Sequence, residues 1–241
     1  MNQFCHLVLF SVFLGVRGDK TVPFITPCCS GDRSCLMTAA AKALPILAAG
    51  VPEYNISCMD PMFVPRIKDN SGGLYFDLTN TTITGLKDCN ITDIGLAGLK
   101  FNLDLNCWLR LKGNYSLAGN LIILDIEGKG SYKIRIRDLV VKFEGEFAET
   151  MVEGEKHWTL SHWNCTTDVL TNVQYRFPGL YDVDNGYNPR TYAMISGFFN
   201  QFWKRVYEDV SPPIVDEIVG KVLNEVMKLF EFFPVNQLIL D

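Results

Sequence analysis

The sequence predicts an α+β domain in which a long C-terminal α-helix is wrapped by a highly curved antiparallel β-sheet. Apolar residues recur at every fourth position between Thr191 and Phe233, whereas from about Leu74 to Phe177 the apolar period falls to two. No helix-period segment interrupts that central region, which argues against alternating βαβ units and against a dinucleotide-binding fold.

Residues 1–18 read as a secretory signal. Leu7 to Val16 forms a short apolar core, and Val16 and Gly18 are small residues before a cut near Asp19. Residues 19–241 then form a single domain of extracellular destination. The apolar run at the N-terminus is too short to span a bilayer, and no other stretch of about 18 apolar residues follows. Removing Cys5 with the signal leaves Cys28, Cys29, Cys35, Cys58, Cys89, Cys107 and Cys165, an odd set with at least one thiol unpaired or paired between chains. Asn55, Asn80, Asn90, Asn114 and Asn164 each open an Asn-x-Ser/Thr acceptor, in keeping with a glycosylated secreted protein.

The turn-rich segment Pro27 to Cys35 predicts a small disulfide loop between Cys28 and Cys35, with Cys29 as the competing partner. Closing it stabilises the fold by roughly 2 to 3 kcal/mol on the chain-entropy model. Ser34 is the expected cap of a first helix that carries Leu36, Ala39, Ala40, Ala43, Leu44 and Leu47 on one face and stops at Gly50, with Pro45 bending it or ending it early. Val51 to Ile56 and Asp60 to Val64 read as extended, because each proline disfavours helix before it.

In the central region Leu74, Phe76 and Leu78 alternate with polar neighbours, as do Leu99, Phe101, Leu103 and Leu105, and then Tyr132, Ile134 and Ile136. These are half-buried antiparallel strands with one wet and one dry face, and breaks are expected at Gly72-Gly73, Gly113-Asn114, Gly119, Gly128, Gly130 and Gly154. Pro178 to Asn188 is a turn-rich linker. In the C-terminal helix, Phe198, Phe202, Val206, Val210, Ile214, Ile218, Val222, Val226 and Phe230 form the stripe. At about 100° per residue, a four-residue repeat drifts by roughly 40° per step, so no flat partner can bury it. Pro212 and Pro213 lie on its polar side and predict either a kink or a second helix capped by Ser211.

With 48% hydrophobic and 20% charged residues and a net charge of −5, nothing points to nucleic acid as a partner. No Gly-x-Ser-x-Gly elbow, His-Glu-x-x-His or P-loop is present, no spaced carboxylate pair stands out, and the reading is of a protein without catalytic residues or cofactor. His157, His162 and Cys165 have a ligand-like spacing, but on a strand the two histidines face opposite sides, which splits a metal site. The chain does hold 16 Phe, 9 Tyr, 4 Trp and 7 Met, enough to line an adaptable apolar pocket. The expected wall combines Phe198, Phe202 and Trp203 of the helix with Phe143, Phe147 and Trp158 of the strands, and Met62 and Val64 from the first extended segment. The alternative is an extracellular protein-interaction module with a solid core and no ligand.

An ordered set of motifs then becomes recognisable. Pro27-Cys28, Gly31-Asp32 and Cys35-Leu36 are followed by Leu44-Pro45, Gly50-Val51-Pro52-Glu53-Tyr54 and Asp60-Pro61-Met62. Gly85-Leu86-Lys87, Leu111 to Tyr115, Gly128-Lys129-Gly130, Phe198-Phe199-Asn200 and Phe233-Pro234 complete the set. Together they resemble the insect takeout and haemolymph juvenile-hormone-binding protein family across nearly the whole mature chain. The resemblance implies a monomeric carrier of a small hydrophobic ligand, a terpenoid such as juvenile hormone or another lipid, held in an internal apolar tunnel in haemolymph or another body fluid. It also implies a second disulfide between a cysteine like Cys165 and one in the C-terminal helix. This helix has no cysteine, so Cys165 is left free or paired with Cys58, Cys89 or Cys107. The ligand-facing tyrosine of the hormone carriers corresponds to the Phe143 to Phe147 stretch, where no tyrosine stands.

Overall fold

The computed structural model describes residues 22–70, 73–182 and 188–240. The signal segment, its cut near Asp19 and part of the linker before the C-terminal helices lie outside the described residues.

Helix α1 (Arg33–Ala49) opens the domain, and its cap is Asp32 rather than Ser34: the Asp32 carboxylate accepts from the Cys35 amide at 3.0 Å. Pro45 neither ends nor shortens the helix, which runs on to the expected stop at Gly50. Val51 to Ile56 is not extended throughout, since Pro52–Tyr54 forms a 3₁₀ turn. Beyond it come β1 (Met62–Asp69), β2 (Leu74–Thr84), β3 (Asn90–Ala97), β4 (Lys100–Leu121), β5 (Leu124–Val152), β6 (Glu155–Arg176) and the two-residue β7 (Tyr181–Asp182). A short 3₁₀ turn at Leu86–Asp88 joins β2 to β3.

All strand pairs are antiparallel, in the order β1-β2-β4-β5-β6. Strands β2 and β3 sit end to end along one side of β4: β3 pairs its first half and β2 its second. β7 extends the pairing of β5 beyond the end of β6. The strands are far longer than the glycine positions suggest, at 22 residues for β4 and β6 and 29 for β5. Gly154 does mark a hairpin, but Gly113, Gly119, Gly128 and Gly130 lie inside strands, and the β4–β5 turn is made by Ile122 and Ile123 instead. The strand glycines serve close approach. A Cβ on Gly128 would stand 2.6 Å from the Gly179 carbonyl oxygen and 2.8 Å from Leu180 Cα, where the segment after β6 folds back across β5. The Tyr115 hydroxyl ties down the same crossing by donating to the Pro178 carbonyl at 2.8 Å.

The C-terminal helical stretch is divided into α2 (Pro189–Gln201) and α3 (Trp203–Phe232), and the division falls at Phe202. Helix α3 continues through Pro212 and Pro213, so Ser211 caps nothing. Those prolines deprive the Glu208 and Asp209 carbonyls of their amide donors, but both residues are exposed and water can take the donors' place, which makes the interruption tolerable. The dry face of the sheet curls round α3, with Val206, Tyr207, Ile214 and Leu229 buried against it. His157 is buried at the far end, where its Nδ1 donates to the Phe230 carbonyl at 2.9 Å and satisfies one of the open carbonyls of the last helical turn.

Cys28 and Cys35 are bridged as expected, and Cys89 pairs with Cys107 across the junction of β3 and β4. Cys29, Cys58 and Cys165 are free thiols. The C-terminal tail returns to the first disulfide, with the Leu240 amide donating to the Cys28 carbonyl at 3.0 Å, so both ends of the described chain meet beside α1.

Two glycine substitutions test this account of the strands. Gly128→Ala is expected to cost about 1 to 3 kcal/mol, because backbone rather than a flexible side chain must move. Gly197→Ala, on exposed α2 with nothing near the new Cβ, should stabilise by about 0.5 to 1 kcal/mol. Urea unfolding of both variants checks the difference in sign; equal shifts would remove close approach as the reason for Gly128.

Candidate functional site

The curled sheet and α3 do not meet everywhere. Between them lies a cavity of about 460 Å³, within the range of small-molecule pockets. α3 supplies one wall: Val215, Ile218, Val219, Val222, Leu223 and Val226 are half-buried rather than buried because they border the cavity. The apolar face of α1 supplies another, and all six of its expected members, Leu36, Ala39, Ala40, Ala43, Leu44 and Leu47, line the space. The remaining walls come from the dry faces of β2 to β6, with Phe199 of α2, Leu86, the segment before α1, and Leu238 and Ile239 of the tail.

One part of the wall is aromatic. Phe147 stacks on Trp158 with ring centroids 4.7 Å apart and planes within 7°, on Phe101 at 4.5 Å, and packs against Phe230 of α3 at 5.2 Å. Phe143, Phe147 and Trp158 therefore line the cavity, but their helix partner is Phe230, near the end of α3. Phe198, Phe202 and Trp203, at the other end of the helical stretch, do not line it, and Phe202 is 44% exposed. The helices run antiparallel to β6, as the contacts Phe199 with Tyr175, Tyr207 with Thr167 and Phe230 with His157 show, so their first residues lie beside the end of β6, far from Trp158; there Phe199 is the residue of the aromatic group that lines the cavity. Met62 and Val64 are buried in the core without reaching the cavity.

Among the described residues, none of those lining the cavity is charged. Its hydroxyl groups are few: on β6 and α3 they are Thr167, Tyr175, Tyr207 and Ser211. The Tyr207 hydroxyl donates to Thr167 Oγ1 at 2.7 Å. Burial raises the Tyr207 pKa, partly offset by its hydrogen bonding with Thr167 and Ser211. Cys165 also lines the cavity, and burial, reinforced by Asp216, pushes its thiol pKa up. A thiol held protonated is a poor nucleophile. His157 is occupied with the end of α3, His162 is exposed, and among the described residues no three His, Cys, Asp or Glu side chains gather as a metal site. Among the described residues no helix is long and apolar enough to cross a membrane.

The model of the haemolymph juvenile hormone binding protein family matches residues 5–240. The Drosophila melanogaster circadian clock-controlled protein daywake is 26% identical over 245 residues, covering 91% of this chain and 92% of its own. The Manduca sexta juvenile hormone-binding protein is 35% identical over 89 residues, which span 33% of this chain and 39% of its own. The crystal structure of Epiphyas postvittana Takeout 1 superposes with a TM-score of 0.85 at 24% identity, covering 90% of this chain and 100% of that one, and this shows the shared fold.

The position of the cavity is open to a simple test with an apolar fluorescent probe such as N-phenyl-1-naphthylamine. Val219→Phe places a ring in the middle of the space and is expected to weaken probe uptake by about tenfold, equivalent to about 1.4 kcal/mol. Phe202→Ala, outside the cavity, should leave uptake unchanged. Fluorescence titration separates the two; equal behaviour would place the binding space elsewhere.

Proposed function

Because the chain belongs to the haemolymph juvenile hormone binding protein family, we propose that it is a secreted carrier whose cargo occupies the cavity between the sheet and α3. The observation that carries the reading is a cavity wall to which none of the described residues brings a charged side chain. Apolar surface moved from water into such a space gains roughly 25 cal/mol per Å², and the few wall hydroxyls leave shape as the main selector. An ionised ligand would lose its hydration without gaining a counter-charge, so the cargo is electrically neutral. Juvenile hormone, a sesquiterpenoid ester, or a related terpenoid or lipid fits these demands.

The wall also speaks against the solid-core alternative, since an interaction module gains nothing from apolar space inside it. The carrier is a non-catalytic, monomeric protein that leaves the cell after cleavage near Asp19. Two disulfides suit an oxidising compartment, and Asn55, Asn80, Asn90, Asn114 and Asn164 are all exposed, as glycan attachment requires.

Mass spectrometry of protein secreted from insect cells checks these parts together. Under native conditions the expected species is a monomer carrying one neutral, extractable lipid. After glycan removal and denaturation, the mass should match a chain beginning at Asp19 with two disulfides. A protein that never carries a lipid, even when offered terpenoid esters and long-chain lipids, contradicts the carrier reading.

A further inference from the structure

The β4–β5 hairpin ends in a turn whose residues suit neither its backbone nor its exposure. The last strand pair is Leu121 with Leu124, so the turn consists of Ile122 and Ile123 alone. Ile122 has a φ of +61° and Ile123 does not share the positive φ, the pattern of a type II′ turn whose first position ordinarily belongs to glycine. A β-branched side chain in the left-handed region is strained, and strain of this kind concentrates at functional sites. Packing does not offset it, because Ile122 is 40% exposed and Ile123 77%. Directly behind the turn the hairpin is cavity wall: Leu121 and Leu117 line the space, as does Leu74 of the neighbouring β2. From Ala118 to Glu127 the charged residues are Asp125 and Glu127, both exposed. The glycan acceptor on this hairpin, Asn114, lies eight residues back along β4, about 26 Å from the turn. The β5–β6 hairpin also exposes apolar residues, Met151 and Val152, but its turn is the unstrained Glu153-Gly154 pair, and Lys156 meets Glu149 at 2.8 Å just behind it.

We propose that the Ile122-Ile123 turn is a membrane-docking tip: it inserts into the surface of a zwitterionic phospholipid bilayer and brings this end of the cavity against the lipid from which cargo is loaded or into which it is released. A two-residue turn is narrow and convex, so it can enter between headgroups. Two isoleucines offer far less than the roughly 800 Å² per partner of a stable protein interface, but they suit a brief and reversible insertion. Asp125 and Glu127 beside the turn are repelled by an anionic leaflet, which makes phosphatidylcholine the matching surface. The proposal rests on the carrier reading and adds to it where the protein meets the source or the destination of its cargo.

The test compares wild type with the double variant Ile122→Asn, Ile123→Ser. Each protein is loaded with a pyrene-labelled terpenoid ester and mixed with phosphatidylcholine vesicles that carry a quencher, and the transfer rate is followed at rising vesicle concentration. The wild-type rate should climb with vesicle concentration, as transfer in contact requires, and should fall when phosphatidylserine is mixed into the vesicles. The double variant should transfer at least about tenfold more slowly, the size of one lost isoleucine contact, at a rate independent of vesicle concentration. Its affinity for the ester should match wild type, and its urea midpoint should be no lower, because asparagine tolerates the left-handed position. A wild-type rate independent of vesicle concentration, or equal rates for the two proteins, overturns the proposal while leaving the carrier intact. An earlier unfolding midpoint assigns the isoleucines to folding and overturns it as well, and faster transfer to the anionic vesicles overturns the zwitterionic surface. Failure of the wild type to take up the ester at all overturns the carrier reading itself.

Discussion

An apolar stripe that spirals needs a cover that curves with it, and the architecture follows from that constraint. The stripe on α3 turns about its helix axis because its repeat of four exceeds the 3.6 residues of a turn. A straight partner helix or a flat sheet would leave one end of it wet. Strands of 22 to 29 residues, twisted in the usual sense and curled at close-approach glycines, follow the stripe along its length. The lengths agree: β6 has a contour of about 70 Å, and α2 with α3 measures about 65 Å if straight. The helices run back antiparallel to β6, with Tyr207 against Thr167 and Phe230 against His157.

The cavity arises where this wrapping is incomplete by design of side-chain size. α1 faces it with Ala39, Ala40 and Ala43, and the middle of α3 faces it largely with valines, so neither side reaches across. Space of that kind forfeits dispersion contacts, and the surrounding shell is correspondingly tied. The Cys28–Cys35 loop is joined to the C-terminal tail, Cys89–Cys107 pins the β3 connection to β4, and His157 holds the end of α3. Lys228 adds a surface tie: its Nζ donates to the Asn55 carbonyl at 2.9 Å, while Glu225 on the same helix accepts from the Ser57 amide at 2.6 Å. The wall can therefore keep its shape without being filled by side chains.

Much of this was legible in the residues, and the failures have physical causes. Period alone revealed the helix and the strands, and the six-residue face of α1 was readable as apolar, although its place beside the cavity depends on tertiary contacts with the sheet. The strand glycines were misread as turns because a glycine needed for close approach looks the same in sequence as one needed for a bend. Ile122 and Ile123 gave no signal as a turn, since β-branched residues ordinarily favour strands. Phe198, Phe202 and Trp203 were placed against Phe147 and Trp158 because a helical stripe does not reveal which of its ends meets which end of the sheet. The contacts settle it: Phe199 meets Tyr175, Tyr207 meets Thr167 and Phe230 meets His157, an antiparallel order that the connection of residues 177–188 between β6 and α2 is too long to dictate.

The central claim, that a neutral lipid lies between the sheet and α3, is tested most directly by anomalous diffraction from crystals of the protein bound to a bromine-labelled terpenoid ester. The account predicts a single bromine peak inside the cavity, with α1, α3 and the strand walls in place and elongated density between them. A peak on the outer face of the sheet, or a cavity closed by collapse of α1 onto α3 while the ester binds elsewhere, would contradict it.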